Sequence, residues 1–123
     1  MLKDALYKII AVDHSDNTIN AVLELDEHNE IFKGHFPDHP VLPGACMLQM
    51  VKEVFENEMG NSYQLEKADN LKFLTLVDPQ KDNILHLEIN YIIEEPGTRV
   101  TASLTTGDEI TFKFQGMFLP QLH

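Results

Sequence analysis

Residues 34–44 hold three prolines and two glycines, a density that no strand or helix interior tolerates. Proline fixes φ, removes a backbone donor and drives the residue before it out of the helical region. Residues 34–43 are therefore expected to form a rigid, extended, non-repetitive segment. At Pro43-Gly44 the character changes. Residues 45–59 contain neither proline nor glycine, and the run closes on Gly60. The pattern predicts a fixed loop that feeds the N-terminus of a helix over 45–59. The first amides of a helix lack internal partners and carry the positive end of its dipole. A glycine at that place lets a ligand approach the backbone, so an acyl carbonyl oxygen is well matched to the N–H groups of Gly44 and Ala45. His35, held by the prolines, supplies an imidazole that titrates near neutral pH.

At about 100° per residue, Leu48, Val51, Phe55 and Met59 share one side of this helix. Cys46, Met47, Met50 and Val54 widen the apolar arc past half the circumference, leaving Gln49, Lys52, Glu53 and Glu56 as the polar stripe. A helix so apolar must be enclosed on several sides. The rest of the chain supplies the enclosure. A short helical turn is expected over 2–7 and strands over 9–12, 18–25, 62–77, 84–93, 99–105 and 109–119. Turn-forming groups separate them, such as Ser15-Asp16-Asn17, Asp78-Pro79, Glu95-Pro96-Gly97 and Gly107-Asp108. Leu85, Leu87, Ile89 and Tyr91 alternate with His86, Glu88 and Asn90, the signature of a sheet buried on one face. Strands joined by short turns predict an antiparallel sheet, and nothing divides the chain, so 1–123 is read as one α+β domain.

Composition narrows the partners. Nine Lys and Arg against 20 Asp and Glu give a formal charge of −11, which argues against nucleic acid and anionic membrane as partners. No apolar run approaches the roughly 20 residues of a membrane span. The opening residues lack the pattern of a signal peptide, and Cys46 is the single cysteine. A reducing cytoplasm is the expected location. Cys46 reads as a small core residue, in a first-turn position that can lower a thiol pKa. His35 and His39 are four apart, but the prolines exclude the helix that would make them a metal pair. No metal or other cofactor is expected.

The stretch Gly34-His35-Phe36-Pro37-Asp38-His39-Pro40-Val41-Leu42-Pro43-Gly44 closely resembles the signature of the beta-hydroxyacyl-(acyl carrier protein) dehydratases. A buried helix wrapped by one antiparallel sheet is the hot-dog fold of that family. The resemblance implies a dimer, or a larger oligomer built from dimers, with acyl tunnels at the subunit interface. It implies an acyl thioester substrate delivered on a pantetheine arm, by acyl carrier protein or coenzyme A. It assigns His35 as the base that removes the Cα proton and Gly44 as the amide that holds the thioester carbonyl, with Ala45 and Pro43 beside it and Phe36 at the tunnel mouth. Met47, Met50 and Met59 read as core or tunnel lining.

One position departs from that pattern. Five residues after the motif glycine such dehydratases carry the acid that protonates the leaving hydroxyl, and Gln49 stands there. An amide has no proton to give at neutral pH, and a general acid contributes about 10²–10⁴ in rate. Glu53, one turn further along, is the candidate substitute, with Asp38 and His39 as other donors, although a surface charge is the plainer reading of Glu53. Three functions follow in order: a 3-hydroxyacyl-thioester dehydratase-like lyase forming a trans-2-enoyl product, an acyl-thioester thioesterase with Glu53 delivering water, and an acyl-binding subunit impaired in catalysis.

Overall fold

The computed structural model describes residues 1–33 and 40–121. Six strands, β1 (Tyr7–Ser15), β2 (Thr18–Leu25), β3 (Tyr63–Phe73), β4 (Ile84–Ile93), β5 (Thr98–Thr106) and β6 (Glu109–Pro120), enclose one helix, α1 (Gly44–Met59). The strands form a single antiparallel sheet in the order β1-β2-β4-β5-β6-β3. This is the hot-dog architecture that the sequence pattern and motif led us to expect.

Local chemistry explains the element ends. Asp16 and Asn17 both have positive φ, 52° and 61°, and join β1 to β2 through a two-residue turn that matches strand twist. The helix ends where Gly60 enters the left-handed region at φ 69° and donates its N–H to the Glu56 carbonyl (2.9 Å), a conformation that glycine adopts without a Cβ penalty.

The core is the inner sheet face closed over the helix. Met50, Val51, Val54 and Phe55 of α1 are fully buried, as are Ile19, Leu23, Leu85, Ile89, Val100, Leu104 and Phe112 of the sheet. Phe55 stacks on Phe118 at 5.5 Å between ring centres and touches Tyr63 at 4.8 Å. At the far end of the helix, the His14 ring bridges β1 to its neighbours, with Nε2 2.7 Å from the Tyr91 hydroxyl and Nδ1 3.3 Å from Glu58 Oε1. The outer face is polar, and one row of it runs through the cross-strand partners Thr18, Asn90, Thr101, Gln115 and Asn70.

Three expectations need correction. The strand foreseen over 62–77 ends at Phe73, because the N–H groups of Leu74 and Thr75 both turn to the Thr111 carbonyl (2.9 and 3.5 Å). Residues 2–7 make no helical element. The Leu6 N–H returns to the Leu2 carbonyl (2.7 Å), but Asp4 has φ 69° and the turn runs straight into β1. Glu53 is not a surface charge, since it is only 2% exposed.

β3 is an edge strand, paired to β6 alone. Its inward-phased Leu65, Leu71 and Phe73 remain accessible, and Leu74 and Leu76 follow them at 49% and 80% exposure. Replacing Phe55 tests the core: Phe55→Ala should cost about 3–5 kcal/mol of unfolding free energy. Thr101→Ala, on the outer face, should stay within about 0.5 kcal/mol. Urea titrations of the two variants measure the difference.

Candidate active site at the start of the helix

The segment before α1 is pinned on the side that is described. Leu42 is buried, and its N–H donates to the carbonyl of Val77, also buried (2.9 Å). Pro43 caps the helix in an extended conformation (φ −63°, ψ 145°) with no side-chain hydrogen bond. The N–H groups of Cys46 and Met47 both return to the Pro43 carbonyl (3.0 and 3.3 Å). The amides of Gly44 and Ala45 precede that first bonded pair and have no partner within the helix. A Cβ on Gly44 would stand 2.5 Å from a ring carbon of Phe73, so a larger residue there would have to push aside that half-exposed ring at the end of β3. Phe73 is in turn stacked on Phe112 at 5.1 Å. The site residues expected within the loop, His35 and Phe36, lie outside the described residues, as do Asp38 and His39.

About two and a half turns into the helix lies a cluster that the sequence announced only in part. Glu53 Oε2 accepts from the Leu2 N–H (2.9 Å) and from Gln49 Nε2 (2.8 Å), while Oε1 accepts from the Lys3 N–H (2.8 Å) and the Tyr7 hydroxyl (3.0 Å). At about 100° per residue Glu53 falls between Gln49 and the apolar Cys46 and Met50, at the margin of the buried arc, and the N-terminal turn covers that margin. Burial alone would push the Glu53 carboxyl up. The bonds from Leu2, Gln49, Lys3 and Tyr7 outweigh it and hold the group below the ordinary glutamate range. Burial first, then the neighbouring Glu53 charge, drives the Tyr7 phenol far above its usual value, so it remains a donor. An ionised carboxylate only accepts, which fixes Nε2 as the Gln49 atom facing it and leaves Oε1 directed elsewhere.

Sequence reasoning brought Gln49 and Glu53 together as neighbours on one stripe. It missed Tyr7, Leu2 and Lys3. The available signal was a glutamate bordering an apolar arc, which demands buried donors, but nothing local names which ones. Cys46 is buried and its thiol is pushed up by that burial, so its place in the first turn does not activate it. One depression, about 580 Å³, is on the outer sheet face among Asp13, Asn20, Val22, His86, Glu88 and Ser103. Another, about 390 Å³, is bordered by Asp4, Ala5 and Tyr7.

The geometry can be set beside known proteins. A family described as ApeI-like, ApeI dehydratase, matches residues 11–100. The chain belongs to this family. It is a dehydratase-like enzyme with the hot-dog fold. Among curated relatives, the 3-hydroxyacyl-(acyl-carrier-protein) dehydratase FabZ of Lactococcus lactis subsp. lactis is 29% identical over 119 residues, 85% of this chain and 77% of the relative. FabZ of Janthinobacterium sp. is 26% identical over 114 residues, 89% of this chain and 62% of the relative. The solved structure of the dehydratase heterocomplex ApeI:P from Xenorhabdus doucetiae matches with a TM-score of 0.77 at 22% identity, covering 90% of this chain and 96% of that one. This last likeness shows the fold.

The Glu53 cluster makes a stability prediction for this ApeI-like dehydratase. Its carboxyl is lowered in the folded chain, so its contribution is complete above the ordinary glutamate pKa. That contribution is lost as pH falls from there through the folded value, where the unfolded chain binds the extra proton. Glu53→Gln should cost roughly 1–3 kcal/mol at neutral pH and converge on the wild type in acid. Thermal unfolding scanned from neutral to acidic pH measures both.

Proposed function

We propose that this chain dehydrates 3-hydroxyacyl thioesters to trans-2-enoyl thioesters, the activity named for its FabZ relatives. The observation that carries the reading is the helix start. Gly44 and Ala45 present amides that have no partner within the helix, with the Phe73 ring beside Gly44, directly after a segment that fills nearly every position of the dehydratase signature. The thioester oxygen rests on those amides, which makes the Cα proton acidic enough for His35 to remove. The electron pair left on Cα forms the double bond as the C3–O bond breaks. Gln49 meets the hydroxyl as a hydrogen-bonding amide. Glu53, ionised and occupied by its donors, does not give a proton. The elimination balances with His35 alone: the proton it takes from Cα is returned to the departing hydroxyl, and water leaves.

The thioesterase reading relies on Glu53 to deliver water, and that carboxylate already holds Leu2, Lys3, Tyr7 and Gln49. The dehydratase reading is therefore preferred. An impaired acyl-binding subunit is the outcome if no turnover is seen.

The working unit in this proposal is a homodimer in the cytoplasm. Its support is the apolar inner side of β3, with Leu65, Leu71 and Phe73 accessible beside the helix start. A second copy laid there would roof Gly44 and complete a slot for the acyl chain. ApeI:P is a heterocomplex, and a different subunit of the same fold is the rival occupant. Twice the chain mass in light scattering of the pure protein supports the homodimer, and a monomer favours the rival.

The carrier is proposed to be acyl carrier protein. Most cations near this edge are engaged: Lys67 with Asp69 at 3.2 Å, and Arg99 with Asp69 and Glu94 at 3.8 and 3.7 Å. Lys72, next to Phe73, instead lies directly across from Lys113. Like charges opposite one another are unfavourable, and an acidic partner would relieve them. The double variant Lys72→Glu, Lys113→Glu should raise KM for carrier-linked substrate about tenfold or more and leave free pantetheine thioesters within about twofold. Equal effects on both substrates would remove the carrier from that patch.

The central test is absorbance of the enoyl thioester formed from short, medium and long 3-hydroxyacyl substrates, with free thiol assayed in parallel. Enoyl product without thiol is expected, and His35→Ala should lower kcat/KM by about 10²-fold or more. Thiol release in place of enoyl product would move the chain to the thioesterases.

A further inference from the structure

We infer that Glu53 is a positioning residue whose work is to set which way round the Gln49 amide faces, and that the N-terminal turn is thereby part of the catalytic apparatus. The inference rests on the dehydratase reading and deepens it. A glutamine side chain has nearly symmetrical ends of opposite hydrogen-bonding character, and left alone it presents either one. Here only one orientation survives. Glu53 Oε2 takes the Gln49 Nε2 (2.8 Å), and that acceptor cannot turn away, because Leu2 and Lys3 hold one end of the carboxylate each and the Tyr7 hydroxyl fixes the second oxygen. Glu53 is 2% exposed while Gln49 remains half-buried. The buried partner is thus the fixed one, and the partly open amide is what it presents.

The consequence for substrate follows from the free atoms. Gln49 Oε1 and the second N–H of Nε2 are the groups left to meet a 3-hydroxyl, in a fixed relation to the amides of Gly44 and Ala45 at the start of the same helix. The 3-hydroxyl donates a hydrogen bond to Oε1, keeping its proton, so the C3–O bond is turned into one alignment for departure. Releasing the amide leaves the substrate bound but its hydroxyl misaligned. That cost appears in turnover and not in binding.

The experiment compares wild type, Glu53→Gln and Tyr7→Phe on a 3-hydroxyacyl pantetheine thioester. Turnover is recorded as a function of pH, and the Gln49 side-chain amide is observed by nitrogen-15 NMR, assigned by its loss in Gln49→Leu. In wild type one Gln49 amide proton should lie downfield and exchange slowly. Glu53→Gln should abolish that signature and lower kcat roughly 10- to 100-fold, with KM within about twofold and both limbs of the pH profile unmoved. Tyr7→Phe, which removes one tether from the carboxylate and keeps the ring, should give smaller changes of the same kind. It decides the matter if Glu53→Gln does not fold. A high-pH limb that vanishes in Glu53→Gln would make Glu53 the proton donor and overturn the inference. So would loss of the amide signature with kcat unchanged, or a Tyr7→Phe protein identical to wild type in both readouts. Wild type inert on every 3-hydroxyacyl thioester would instead overturn the dehydratase reading, while the amide signature still decides whether Glu53 holds Gln49.

Discussion

A carboxylate inside an apolar core keeps its charge only when its lone pairs are met by donors, and at Glu53 four donors from three parts of the chain do this. The arrangement has structural reach. Two donors are backbone amides at the very start of the described chain, one is a hydroxyl at the first strand, and one is a side chain on the helix itself. A single anion therefore fastens the N-terminal turn and β1 to the middle of α1. Removing it would leave buried donors facing one another, a heavier penalty than the loss of any one bond. The helix cannot rotate about its axis without breaking this set, so the register of Gln49 and Gly44 against the sheet is fixed by the same contact.

Burial of α1 and its register are separate matters. Phe55 between Phe118 and Tyr63, with Met50, Val51 and Val54 around it, supplies the hydrophobic attraction that keeps the helix inside. Such packing is non-directional. It tolerates modest turning as long as volume is conserved. Directional bonds at two levels remove that freedom: the Glu53 cluster at the middle of the helix, and His14 between Tyr91 and Glu58 near the C-terminus. The catalytic geometry proposed here depends on those bonds more than on the size of the core.

Much of the fold was legible because it rests on periodicity. Alternation in β4 and the wide apolar arc of α1 are local facts, and the strand limits over 18–25 and 84–93 agree with the structure. Asp16-Asn17 and Gly60 gave the turn and the helix stop because their backbone preferences are intrinsic. What failed was non-local. Residues 74–77 continue an apolar pattern, yet the chain leaves the sheet there because the Thr111 carbonyl captures two consecutive amides, and no property of residues 74 and 75 foretells it. Glu53 was misjudged as a surface charge for the same reason. Its stripe is polar on the wheel, but the segment that covers it comes from some fifty residues away. Of the candidate site, Gly44, Ala45 and Gln49 are expectations from spacing and resemblance, while Tyr7, Leu2 and Lys3 had no signal short of the fold itself.

The exposed side of β3 follows from simple dimensions. Six strands spaced about 4.8 Å apart span roughly 24 Å, whereas a helix with its side chains is about 10–12 Å across. One helix cannot line the whole inner face even of a strongly curled sheet. The shortfall has to appear at an edge, and here it falls at β3, where Leu65 and Leu71 face inward yet stay accessible and Phe73 reaches only the helix start. It is no accident of position that Gly44 lies against Phe73. The helix enters the curl of the sheet beneath this edge, so the amides of the helix start that lack a partner within the helix and the surplus apolar surface occupy one neighbourhood. Any body that covers the strip also excludes water from those amides, and a hydrogen bond to a developing oxyanion is worth most where water is excluded. In the proposed dimer, assembly and catalysis would thus be tied to the same few residues of β3.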